Sequence, residues 1–120
     1  MDAFQLFSAK HHLPAGVHQA ADLALEEHVT NVLKYAYSDS ASHEIRVRLS
    51  CNAQALLVEV EDDGRAFNPL DLAPVDISAP LEQRPIGGLG IHLMRQFMDA
   101  LDYRREGGRN ILRMTKRLDA

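Results

Sequence analysis

Residues 21–37, ADLALEEHVTNVLKYAY, decide the fold. They read as the body of one helix running from about residue 15 to residue 37. Leu25, Val29, Val32 and Ala36 recur at helical spacing as its apolar stripe, and Glu27 and Asn31 fall nearly opposite. Four residues on a helix is one turn, so this carboxylate and this carboxamide share a face. Such a pair can divide one task. The carboxylate takes a proton or holds a water, and the carboxamide offers a neutral oxygen to a hard cation. A solvated helix face carries the same residue types, so the pair gains meaning only from its surroundings.

Working outward, Ser38-Asp39-Ser40-Ala41-Ser42 is a polar stop. Residues 45–49 and 56–61 alternate as two strands, with Cys51-Asn52-Ala53-Gln54 as a hairpin loop between them. The alternation breaks at Asp62-Asp63-Gly64-Arg65-Ala66-Phe67-Asn68-Pro69. Residues 69–86 then hold Pro69, Pro74, Pro80 and Pro85 with little periodicity. A loop this long in so small a domain carries function or moves. Gly87-Gly88-Leu89-Gly90 closes it. A second helix follows from about residue 91 to 101, with Ile91, Met94, Phe97, Met98 and Leu101 as its stripe. A terminal hairpin spans 102–106 and 110–117 around Gly107-Gly108, with Leu112 and Met114 on one face. Upstream, residues 1–8 place Phe4 and Leu6 in alternation, which predicts a short edge strand. His11-His12-Leu13-Pro14 is the connector. Strand, helix, hairpin, long loop, helix, hairpin predicts an α+β two-layer sandwich: a mixed, mostly antiparallel sheet with helices on one face.

The 120 residues fit one domain, 1–120, and suffice for a real core. Hydrophobic residues at 46% and charged residues at 25% are ordinary for a soluble globular chain. A net charge of −4 argues against nucleic acid or an anionic membrane as partner. No apolar run reaches spanning length, and the amino terminus lacks the pattern of a signal peptide. The single Cys51 cannot form an internal disulfide or a cysteine zinc site, and fits a reducing cytoplasm. Histidines 11, 12, 18, 28, 43 and 92 show no metal-ligand spacing and are expected to be structural or superficial.

Two further stretches carry chemistry. Asp62 ends a strand just before a glycine. Its carboxylate can accept from an exocyclic amine such as adenine's, and Gly64 lets the backbone approach a flat ring. An acidic turn is the plain alternative. Gly87-Gly88-Leu89-Gly90 precedes a helix, where free backbone N–H groups form a phosphate cradle. A flexible hinge is the plain alternative there. Neither the Walker P-loop nor the GxGxxG dinucleotide fingerprint is present.

The three stretches stand in the order and at the distances of the N, G1 and G2 boxes of the GHKL ATPase/kinase superfamily, also called the Bergerat or histidine-kinase-like fold. The chain resembles that superfamily from about residue 21 to 118. It is most similar to the small anti-sigma regulatory factors that act as serine-protein kinases. The resemblance rests on Glu27-His28-Val29-Thr30-Asn31, on residues 62–69, on Pro85-Ile86-Gly87-Gly88-Leu89-Gly90-Ile91, and on the terminal run from Asn110 to Lys116.

It implies that Asn31 holds Mg²⁺ bridging the phosphates of ATP and that Glu27 is the general base toward a partner's serine hydroxyl. Asp62 would read the adenine amino group with Gly64 beneath the ring. Residues 69–86 would be the ATP lid, and Gly88, Leu89 and Gly90 would offer N–H groups to phosphates. Lys34 and Arg84 would reach phosphates, Arg84 on lid closure, and Asn110 would line the adenine pocket. The implied partners are a STAS-type anti-sigma-factor antagonist and a sigma factor, in a cytoplasmic family that often dimerises. Tyr35 stands where many relatives have His, and Asn68 where many have Asp. A sensor kinase's second glycine motif and its dimerisation helix with a phospho-acceptor His are not found. The expected function is ATP-dependent transfer to that antagonist's serine. A non-catalytic, ATP-dependent binding module, or an ATPase domain of a larger signalling system, is the alternative.

Overall fold

The computed structural model describes residues 2–37, 43–71 and 88–119, with 88–90 in backbone only. Its elements are α1 (Ala3–Lys10), α2 (Ala15–Tyr35), β1 (Ile45–Cys51), β2 (Ala55–Asp62), a 3₁₀ turn (Pro69–Asp71), α3 (Gly88–Phe97), β3 (Ala100–Glu106) and β4 (Arg109–Arg117). The expected stop at 38–42, and residues 72–87 of the expected lid with Arg84, lie outside the described residues.

The amino-terminal stretch is a helix, not the expected edge strand. Asp2 accepts from the Gln5 N–H at 2.8 Å, and the Gln5 side chain accepts from the Asp2 N–H at 2.9 Å. This reciprocal capping box starts a helix. Helical spacing then sends Phe4 and Phe7 to the core, while Leu6 stays 57% exposed. A strand would have buried Phe4 with Leu6.

In α2 the buried positions are Val17, Ala21, Ala24, His28, Asn31 and Val32, rotated from the expected stripe. Leu25 and Val29 are only half-buried. Ala21 and Ala24 have little apolar weight in the sequence, but small side chains let packed elements come close. Asn31 is therefore 2% exposed, not on the solvent side opposite the stripe. Glu27, one turn earlier, is half-buried.

The strands form one sheet in the order β1-β2-β4-β3. Every pairing among them is antiparallel, so the sheet is not mixed. Leu56, Val58 and Val60 of β2 lie beside Leu112 and Met114 of β4, and this face meets Phe4, Val17, Ala21, Ala24, Ile91, Met94 and Met98 from the helices. The opposite face is charged. Glu61 lies 3.3 Å from Arg48, 3.5 Å from Arg109 and 3.7 Å from Arg46. Glu59 lies 3.3 Å from Arg113, 3.5 Å from Arg48 and 3.7 Å from Arg104.

Helix α3 begins at Gly88, three residues before the expected start, so Gly88 and Gly90 belong to its first turn. It ends at Phe97. The Asp99 N–H bonds the Thr115 carbonyl at 2.8 Å, and the Asp99 carboxylate accepts from the Arg117 N–H at 2.7 Å. The sheet ladder claims the chain there, and Leu101 belongs to β3. At the Gly107-Gly108 turn φ is 58° and 77°, the left-handed pair a two-residue hairpin needs.

Candidate functional site

Asp62 closes β2 and is 1% exposed. Its Oδ1 accepts from the Gly64 N–H and from Asn110 Nδ2, both at 2.9 Å. These two bonds fix the carboxylate plane. Its Oδ2 is buried and has no hydrogen-bond partner among the described residues. A buried acceptor left unmet costs about 1–3 kcal/mol. Asp62 thus presents one ready acceptor to a ligand donor.

Asn110, paired with Asp62 across the β2–β4 ladder, is 3% exposed. Its Oδ1 accepts from Tyr103 Oη at 2.6 Å, an Arg105 guanidinium nitrogen at 2.9 Å and the Phe67 N–H at 3.1 Å. Its Nδ2 also donates to the Arg65 carbonyl at 2.7 Å. Asn110 therefore stitches the 62–67 loop to the sheet.

Gly64 has a packing reason that differs from the one expected. A Cβ there would lie 2.5 Å from the Ala36 carbonyl oxygen and 2.7 Å from the Ala36 Cβ. The Arg65 N–H donates to that same carbonyl at 2.9 Å, and Arg65 Nε donates to the Tyr35 carbonyl at 2.5 Å. The loop after Asp62 is clipped to the carboxyl end of α2, which brings the expected first and second boxes together. Asp63 joins in, accepting from the Tyr37 hydroxyl at 3.0 Å, while the Tyr37 ring stacks on His43 at 3.9 Å. Burial and the Asp63 hydrogen bond push the Tyr37 hydroxyl up to about 12.

Along α2, His28, Asn31 and Tyr35 follow at helical spacing. His28 Nδ1, Asn31 Nδ2 and the Tyr35 hydroxyl are each buried without a partner among the described residues. Burial lowers the His28 ring to about 4, so it is neutral at neutral pH. The Tyr35 ring lies 5.3 Å from Phe67 of the Asp62 loop. Lys34 is exposed in the last turn of α2. Gly88, Leu89 and Gly90 form the first turn of α3, where backbone N–H groups lack intrahelical acceptors. The segment entering the expected lid is tied to α3, because Arg95 donates to the Leu70 carbonyl at 3.2 Å.

The structure therefore joins Asp62, Gly64 and Asn110 at the carboxyl end of α2, with Glu27, Asn31 and Lys34 carried on that helix. Reading the sequence missed Tyr35, Tyr103 and Arg105 as participants. The Gly-Gly turn was the available signal: its two-residue register sets Arg105 directly opposite Asn110.

A family profile described as "Histidine kinase-like ATPase domain" matches residues 1–116. The chain is 29% identical over 93 residues to serine/threonine-protein kinase BtrW of Bordetella bronchiseptica, covering 78% of this chain and 66% of that one. It is 33% identical over 98 residues to serine-protein kinase RsbW of Bacillus mycoides, covering 78% of this chain and 60% of that one. The match thus spans less than two thirds of either relative. Among solved structures, the histidine kinase domain of the Erythrobacter litoralis EL346 blue-light activated histidine kinase superposes with a TM-score of 0.61 at 27% identity. That superposition covers 88% of this chain and 46% of that one.

Proposed function

Because the chain belongs to the histidine kinase-like ATPase domain family, we propose that it is an ATP- and Mg²⁺-dependent serine-protein kinase of the anti-sigma-factor type. Its acceptor is a serine on a STAS-type antagonist in the cytoplasm, and a sigma factor is its second partner. The names of the relatives, one a serine/threonine-protein kinase and one a serine-protein kinase, support the reaction class. The observation that carries nucleotide binding is the Asp62 carboxylate, held by two bonds through one oxygen with the other buried and unmet.

Each residue has a role. Asp62 Oδ2 accepts from the adenine amino group, and Asn110 holds Asp62 in place. Asn31 is the residue to hold Mg²⁺. It would do so through its carboxamide oxygen, while its buried, unpaired Nδ2 is a donor that suits an oxygen of the substrate phosphates beside the cation. When bound, the cation neutralises charge across those phosphates. The first-turn amides of α3 at Gly88, Leu89 and Gly90 add positive dipole, with Lys34 and Arg84 as flanking cations. Phosphoryl transfer is then mainly positioning. Glu27 takes the proton of the acceptor serine as its oxygen bonds to the γ-phosphorus and ADP leaves. The acceptor is another protein, so the enzyme alone hydrolyses ATP slowly.

The test is incubation with γ-labelled ATP and a candidate antagonist. Label should reach an antagonist serine, and Glu27→Ala should abolish transfer while leaving ATP affinity within about twofold. Tight binding with no transfer to any antagonist would leave a nucleotide-dependent binding module instead.

A further inference from the structure

Asp62 can meet a ligand with one oxygen only, and the reason lies on the neighbouring strand. The Asn110 carboxamide oxygen faces Tyr103 Oη, the Arg105 guanidinium and the Phe67 N–H. The last two have no lone pair to offer. Its amide nitrogen faces only acceptors, Asp62 Oδ1 and the Arg65 carbonyl. A flipped carboxamide would set N–H groups against N–H groups and oxygen against a carboxylate. Arg105 is itself held by donating to the Gly64 carbonyl at 3.1 Å and the Gly108 carbonyl at 3.3 Å.

We propose that Tyr103 and Arg105 are positioning residues that set the base selectivity of the nucleotide site by locking Asn110 in this orientation. The proposal deepens the reading of Asp62 as the group that meets the base, and rests on it. Guanine presents an N1–H and an amino group side by side, and a carboxylate reads both with two oxygens. Adenine offers one amino donor. With Oδ1 committed to Gly64 and Asn110, Oδ2 suffices for adenine and leaves a guanine donor unmet. When the lock is broken, Asn110 turns away and Oδ1 keeps only its Gly64 bond, which opens room on that oxygen for a second base donor.

The experiment measures affinity for ATP, GTP and inorganic tripolyphosphate, each with Mg²⁺, in wild type, Tyr103→Phe, Arg105→Met, Arg105→Lys and Tyr103→Phe/Arg105→Met. Hydrogen exchange of the Asn110 side-chain amide is followed by NMR. The ATP-over-GTP ratio should fall about tenfold in the double variant and about threefold in Tyr103→Phe. Tripolyphosphate affinity should not change, whereas general loosening of the site would lower it. Arg105→Lys should restore most of the ratio, and Asn110 exchange should speed up wherever the ratio falls.

A double variant with faster Asn110 exchange but the wild-type ratio overturns the proposal. If the Arg105 variants do not fold, an unchanged ratio in Tyr103→Phe, which removes only a hydroxyl, overturns it too. Wild-type protein that binds neither nucleotide overturns the reading of Asp62 itself, and the selectivity claim with it. Wild-type binding with unmoved variants overturns the selectivity claim alone.

Discussion

His28 follows Glu27 directly, yet it is 3% exposed and titrates near 4 because burial disfavours its charge. In the unfolded chain its pKa is the ordinary 6.5. Between those values the unfolded chain binds a proton that the folded chain refuses, so acid favours unfolding. The stability is fully present above about pH 6.5, declines as pH falls, and levels off below about pH 4, a loss of about 3 kcal/mol. Denaturant midpoints measured from pH 7.5 to 4 should show this slope, and His28→Leu should flatten it. The residues of the site were legible in uneven measure. Asp62 and Asn31 stood out as candidates because their residue type and spacing carry chemistry, but the burial of Asn31 was not foreseen. The reason for Gly64 was not, because its neighbour Ala36 is 28 positions away in the chain and unremarkable by type. Arg105 and Tyr103 read as strand polarity until the hairpin register puts them against Asn110.

At the scale of elements, the strands and the long helix follow from their periodicity, whereas α1 was hidden by a brief alternation of Phe4 and Leu6. What decides α1 is a cap, not a pattern. Asp2→Ala should remove the side-chain half of the capping box, leaving Gln5 to accept from the residue 2 N–H, and cost about 1 kcal/mol. Thermal melts should show that loss, and a matching change at Asp22, which has no capping role, should not. The clip between α2 and the Asp62 loop makes a stronger demand. Gly64→Ala drives a methyl onto the Ala36 backbone, which no side-chain rotation relieves. Overpacking against backbone costs about 1–3 kcal/mol. Here it should also separate Asp62 from the end of α2, so ATP affinity should fall further than stability alone explains. Isothermal titration of the folded variant checks this. Helix α3 was legible as a stripe but not at its ends. Its start depends on glycines that sequence rules assign to loops, and its end on the ladder bonds of Asp99.

Over the whole molecule, the sheet divides two kinds of surface. The outer face sets Arg46, Arg48, Arg104, Arg109 and Arg113 over Glu59 and Glu61, and these pairs are half open to solvent. Exposed pairs of this kind are worth about 1 kcal/mol or less each and weaken with salt. The inner face meets the helices and carries the unmet Asp62 oxygen, while α2 holds the unmet polar atoms of His28, Asn31 and Tyr35. A nucleotide gripped at once by α2, by the end of β2 and by the start of α3 would stabilise the folded chain by mass action. That amounts to about 2.7 kcal/mol at a hundredfold excess over the dissociation constant, or on the order of 10 °C in Tm. Asp62→Ala should lose nearly all of this shift, because it removes the acceptor proposed for the base. Glu27→Ala should keep it, because the role proposed for Glu27 is toward the acceptor serine and not the nucleotide. Scanning calorimetry with and without Mg·ATP separates the two. Equal loss in both variants would mean that grip and chemistry are not divided between the sheet and the helix.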